Sequence, residues 1–83
     1  MEKEILIKQL LYRSNHRGCK ETDILLGKFF NSEFKNFSDE KLNLYNQFIS
    51  QDDALIYDWL LGKETVDSKY QDLVQIIQKF HKI

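Results

Sequence analysis

The sequence predicts an all-α protein: a compact single-domain bundle of five short helices spanning residues 1–83. Three observations lead there. Apolar residues recur at three- and four-residue spacing in five separate segments, and no stretch alternates with the period of two that a half-buried strand requires. The chain has no proline and only three glycines, so little punctuates a helix once it has begun. Eighty-three residues, 42% hydrophobic and 13% aromatic, can fill one modest core and not two.

Taken in order, the first helix is expected from Glu2 to about Ser14. Ile7, Leu10 and Leu11 set its stripe, and Ile5 and Leu6 widen it. Glu2 and Glu4 near its start and Arg13 near its end agree in sign with the helix dipole. Asn15 and Gly18 tolerate left-handed backbone angles, so the helix is expected to stop there. The second helix, Lys20 to Glu33, carries Thr22, Leu25, Leu26, Phe29 and Phe30 on one face, with Glu21 and Asp23 in its first turn. Phe34 and Phe37 should pin the connection that follows.

Ser38, followed by Asp39 and Glu40, is an N-cap with first-turn acids. It opens a third helix with Leu42, Tyr45, Phe48 and Ile49 on one side. Asp52 or Asp53 caps a short fourth helix bearing Leu55, Ile56, Trp59 and Leu60, and Gly62 ends it. Asp67 caps a fifth with Tyr70, Leu73, Val74, Ile77 and Phe80 on its apolar face, and Lys79 and Lys82 near its end. Breaks between these segments destroy any heptad register, which excludes one long coiled coil.

Composition excludes several classes. A net charge of −1 gives no general attraction to nucleic acid or acidic membranes. No apolar run approaches the roughly 20 residues of a membrane span, so no membrane insertion is expected. One cysteine rules out an internal disulfide and suits a reducing compartment. The start, Met-Glu-Lys-Glu, has acids where a signal or transit peptide has none, so the expectation is an unprocessed cytoplasmic protein of bacterial type.

Charge is nevertheless uneven. Residues 1–20 hold five Lys/Arg against two Glu, and residues 21–83 hold seven Lys against eleven Asp/Glu. The cationic side chains Arg13, His16, Arg17 and Lys20 gather around Gly18 between the first two helices. An arginine fork beside a glycine can approach a carboxylate, phosphate or backbone closely, because no Cβ intervenes. The structural reading of the same corner is a turn in which Gly18 takes a positive φ and Glu21 serves the second helix's dipole.

Catalytic and metal readings find less support. His16 and Cys19 lack a third orienting group, and a helical domain this small lacks a deep, dry pocket. His16, Cys19 and His81 have no metal-ligand spacing. A DNA-reading second helix is disfavoured because it opens Glu21-Thr22-Asp23, which repels phosphate. Trp59 is a core residue or an interface anchor, and Tyr12, beside Arg13, is open to the same two readings. This leaves a helical module that binds a partner, with weak nucleic-acid binding as the lesser alternative.

The residues also match a known pattern. Leu11-Tyr12-Arg13-Ser14, Arg17-Gly18 with Glu21 and Asp23, Leu25-Leu26, Phe29-Phe30, Phe34, Ser38-Asp39-Glu40, Asp52-Asp53 and Asp58-Trp59-Leu60 together resemble the succinate dehydrogenase assembly factor (flavinator) family, whose bacterial members are called SdhE. The resemblance runs from Leu10 to about Ile77. It departs from the family at Cys19, commonly methionine, and at His16, often a more basic residue.

The resemblance implies a small five-helix assembly factor and not an enzyme. Its partner would be the flavoprotein subunit of succinate dehydrogenase, or in some bacteria of fumarate reductase, and it would promote covalent attachment of FAD to a histidine of that subunit. It would bind no cofactor stably itself, acting on the FAD of its partner, and it is expected to be a monomer when free. Arg17, Gly18 and Glu21 would form the motif at the flavoprotein contact. Tyr12, Arg13, His16, Asp52, Asp53 and Trp59 complete the partner-binding candidates.

Overall fold

Each of the five apolar stripes forms a helix, and the stripes converge on one core. In the computed structural model, which describes residues 2–83, α1 spans Glu2–Asn15, α2 Lys20–Glu33, α3 Asp39–Ile49, α4 Asp53–Leu60 and α5 Gln71–His81. Single 3₁₀ turns at Phe34–Asn36 and Ser68–Tyr70 lead into α3 and α5. The all-α expectation therefore holds among the described residues. α2 is the hub, packing against α1, α4 and α5, while α3 packs on α1 and α4. The molecule measures 38 × 24 × 22 Å with a radius of gyration of 11.8 Å, as a compact globule of this length should.

The boundaries follow from local chemistry. Ser38 Oγ accepts the Lys41 N–H at 3.2 Å, the N-cap expected for α3. Gly62, at φ +75°, ends α4 with paired bonds, its own N–H to Trp59 O and that of Lys63 to Asp58 O. Asp67 caps where expected, its Oδ1 accepting from Lys69 N at 3.2 Å, but it opens a 3₁₀ turn, and α5 itself begins one turn later at Gln71.

The first break differs from expectation. Among the described residues only Gly62 and Lys82 have positive φ, so neither Asn15 nor Gly18 uses a left-handed conformation. Asn15 is instead the last residue of α1. Its Nδ2 donates to Leu11 O at 2.7 Å and lies 3.1 Å from Asn31 Oδ1 on α2.

The core is aromatic. Tyr45 stacks on Phe30 with centroids 4.6 Å apart, and Phe37 meets both rings edge-on at 5.4 and 5.7 Å. Phe48, Trp59 and Tyr70 form a second group. Phe37, buried from the connection after α2, pins that connection as expected, and Phe34 packs on Phe30.

One polar pair crosses this core. Ser14 Oγ on α1 and the Tyr45 hydroxyl on α3 are 2.7 Å apart, and both residues are fully buried. Burial pushes the Tyr45 phenol far above its ordinary value, against smaller opposing effects of the Ser14 bond and of Arg17 and Arg13. The raised value means the folded state holds its proton where the unfolded chain would release it. This contribution to stability is thus complete below pH ~10, the ordinary tyrosine value, and is lost as pH climbs above it. Tyr45→Phe should cost about 1–2 kcal/mol at pH 7, because Ser14 loses its buried partner. It should also flatten the loss of stability above pH ~10. Urea unfolding at pH 7 and at alkaline pH measures both.

Candidate functional site

The corner between α1 and α2 is built around a carboxylate that arrives from α4. Asp53 Oδ1 lies 2.8 Å from Arg17 Nε and 2.6 Å from Arg17 Nη2, while its Oδ2 accepts the Gly18 backbone N–H at 3.1 Å. Thr22 Oγ1, buried in the first turn of α2, donates to Asp53 O at 3.3 Å. One aspartate thus holds an arginine side chain, a glycine backbone and, through its carbonyl, the start of the next helix. The ion pair is sheltered, with side-chain exposures of 10% for Arg17 and 24% for Asp53. Such a pair is costly to break from one side.

This geometry gives several of the candidate residues a role inside the fold. Arg17 and Asp53 face each other, so neither offers a free charge to a partner. Arg13 is likewise engaged, its guanidinium donating to Asn46 Oδ1 and, at 2.8 Å, to Ser50 Oγ on the α3 side. It ties α1 to α3. Trp59 sits in the core: it is 5% exposed, packs on Phe48 and Tyr70, and donates its indole N–H to Thr65 O at 3.2 Å. Its polar tip pins the segment before α5, so the core reading is the right one. With two of the four cations of the corner spent inside the fold, the phosphate-binding alternative loses its main support.

Five candidates do face outward: Tyr12, His16, Gly18, Glu21 and Asp52. Tyr12, 66% exposed, lies against the His16 ring one helical turn on, with centroids 4.3 Å apart. Asp52 stands at the N-cap position of α4 but makes no capping bond, because the backbone there turns Asp53, not Asp52, toward the corner. Gly18 has room for a methyl group, since a Cβ would sit 3.5 Å from Asp53 Oδ2. Its value is an open surface and an amide that closes the clamp.

Glu21 is the one exposed acid of the corner with a perturbed charge. The Cys19 thiol donates to Glu21 Oε2 at 3.2 Å. That bond, the Glu21 backbone N–H and the charge of Lys20 hold the carboxyl below its ordinary value. It therefore stays ionised throughout the neutral range and is a poor proton donor there. Any contribution of Glu21 to a partner's chemistry should be independent of pH between 6 and 8. Comparing wild type with Glu21→Gln across that range checks this, because a Glu21 that acted as a proton donor would have to titrate there and would make the ratio of activities vary with pH. His16 rests on Tyr12, and the Cys19 thiol is directed to Glu21 and not to His16.

Sequence reasoning missed three residues that shape the site. Thr22 was read only as part of an apolar face, Ser14 as a helix end, and Gly27 was not read at all. Gly27 permits close contact of α1 and α2: a Cβ there would fall 2.6 Å from Asn15 Oδ1 and 3.4 Å from Ser14 O. A glycine inside an otherwise uninterrupted helical pattern was the available signal.

Comparison with known proteins bears on this corner. A family model described as "Flavinator of succinate dehydrogenase" matches residues 8–81. The "FAD assembly factor SdhE" of Coxiella burnetii is 38% identical over 64 residues, covering 76% of this chain and 78% of that protein. The mitochondrial "Succinate dehydrogenase assembly factor 2" of Dictyostelium discoideum is 35% identical over 78 residues, covering 93% of this chain and 55% of that one. The "FAD assembly factor SdhE" of Legionella pneumophila is 29% identical over 62 residues, 75% of this chain and 78% of its own. The chain spans about half the length of the mitochondrial relatives from Dictyostelium discoideum and Drosophila willistoni. No solved structure matches it.

Proposed function

This chain belongs to the family of flavinators of succinate dehydrogenase, and from that premise we propose that it binds the flavoprotein subunit of the enzyme and promotes covalent attachment of FAD to a histidine there. The observation that carries the reading is the division of labour within the corner. Arg17 is held from inside by Asp53, while Gly18 and Glu21, the other two motif residues, remain exposed. Glu21 also stands in the first turn of α2, where its charge suits the helix dipole, but its side chain is exposed and makes no salt bridge among those of the described residues, so it stays open to a partner.

The factor works by positioning. Both reacting groups, the histidine and the flavin, would belong to the partner, and FAD is the partner's group rather than a resident of this chain. Glu21 supplies a fixed negative charge against the flavoprotein, and Gly18 lets the two backbones approach. Stabilising one conformation of the flavoprotein raises the fraction of time in which histidine and flavin are aligned. Fumarate reductase, with a flavoprotein of the same chemistry, is a second client on this reading. On this reading the factor alone is monomeric and works in the cytoplasm.

The test mixes the purified protein with the purified flavoprotein subunit and FAD. The expected result is a one-to-one complex by size exclusion with light scattering, and faster covalent flavin incorporation than in the flavoprotein alone. Absence of a complex with a folded flavoprotein, or binding to a DNA duplex that falls steeply with salt, would overturn the reading.

A further inference from the structure

Beside Glu21 the surface is apolar over a second stretch that the motif does not include. Ile24 and Leu25 of α2, Tyr57 of α4, and Leu61 and Ile83 line a shallow groove of about 260 Å³, with Glu21 at its rim. Ile24 is 46%, Leu61 40% and Ile83 57% exposed, which makes this a concentration of large aliphatic side chains in water. The fold builds it deliberately. His81 Nε2 lies 2.7 Å from Leu25 O, drawing the end of α5 onto α2. Lys82 then adopts the left-handed conformation, and the Ile83 N–H bonds back to Gln78 O at 3.0 Å. That reversal sets Ile83 over the groove.

We infer that this groove is the specificity surface of the same contact, and that it takes an apolar side chain of the flavoprotein flanked by a lysine or arginine. The inference rests on the functional reading above. Two features choose the occupant. Continuity is the first, because Glu21 belongs both to the motif and to the groove. Charge is the second: Glu21 is the only charged side chain lining the groove, it is held ionised, and it forms no salt bridge among those of the described residues. An apolar floor with an unpaired anion at its edge matches an apolar side chain beside a cation. The motif then supplies close approach, and the groove selects the partner.

The test measures affinity for the purified flavoprotein subunit with Ile24→Lys, Ile24→Glu and Leu61→Lys, each at an exposed position, alongside wild type and a control at Ile5, exposed on α1 away from the groove. Ile24→Lys and Leu61→Lys should weaken binding at least tenfold with melting temperature unchanged. Ile24→Glu should weaken it several-fold less, since it meets the same cation with the opposite sign, and Ile5→Lys should bind as wild type. Equal losses for the lysine and glutamate variants at position 24 would overturn the cationic flank. Unchanged affinity in all groove variants, while wild type binds, would overturn the groove and leave the functional reading standing. Wild type that dimerises, with Leu61→Lys restoring the monomer, would assign the groove to a second copy of the chain and overturn the inference. Failure of wild type to bind the flavoprotein at all would remove the functional reading and this inference with it.

Discussion

Asp53→Ala should be the most damaging single change at the corner, lowering stability by roughly 2–3 kcal/mol and abolishing flavin attachment at the same time. Three bonds explain the size. The carboxylate takes Nε and Nη2 of Arg17 on one oxygen and the Gly18 amide on the other. Removing it strands a guanidinium that is only 10% exposed. Fully buried pairs cost about 3–5 kcal/mol to break from one side, and exposed pairs about 0–1, so a sheltered but not sealed pair falls between. In a domain of this size that is a drop of some 10–20 °C in melting temperature. Asp53→Asn keeps an oxygen for Gly18 and should cost about half as much. Thermal unfolding of the two variants, with flavin attachment measured well below their midpoints, separates loss of fold from loss of the presented corner. If Asp53→Ala matched wild type in both, Asp53 would be an ordinary surface acid.

Trp59→Ala should be larger still in stability, about 3–5 kcal/mol, for a reason unrelated to the partner. The ring fills the space between Phe48 and Tyr70, and its N–H holds Thr65 O across the segment that connects α4 to α5. Stability for a chain of this length is of the order of 4–12 kcal/mol, so much of it would go. Tyr12→Ala makes the contrast. Tyr12 is 66% exposed and touches chiefly His16, and its removal should move stability by no more than about 0.5 kcal/mol. Chemical denaturation of both variants distinguishes the two aromatic candidates that the sequence left equivalent. Equal costs would mean that Trp59 is not the core residue described above.

Much of the fold was legible because helices announce themselves through short-range spacing. The stripe Leu25, Leu26, Phe29, Phe30 fixes a face of α2 within one turn, and Ser38 and Gly62 mark boundaries by local chemistry alone. The corner was legible as a concentration of unusual residues but not as an arrangement. Arg17 and Asp53 are 36 positions apart, and nothing local in either neighbourhood says that they meet. Separations of 31 to 37 positions likewise hid the Ser14–Tyr45 pair and the Arg13 contacts with the α3 side. Adjacent acids such as Asp52 and Asp53 are equivalent in sequence, and the helix start decides which turns inward. Gly18 misled for a complementary reason: a glycine at a turn suggests positive φ, whereas this one contributes an open surface and an amide. The groove was hidden because it depends on where the end of α5 lands, a tertiary matter.

The measurement that bears most directly on the function is the covalent flavin content of the succinate dehydrogenase flavoprotein subunit, read by in-gel flavin fluorescence. It is made in cells that contain the protein, in cells that lack it, and in cells that carry Glu21→Ala at matched abundance. Covalent flavin should fall to background without the protein and stay low with Glu21→Ala, whose exposed side chain the fold does not need. Equal flavin in all three would contradict an assembly role for this chain.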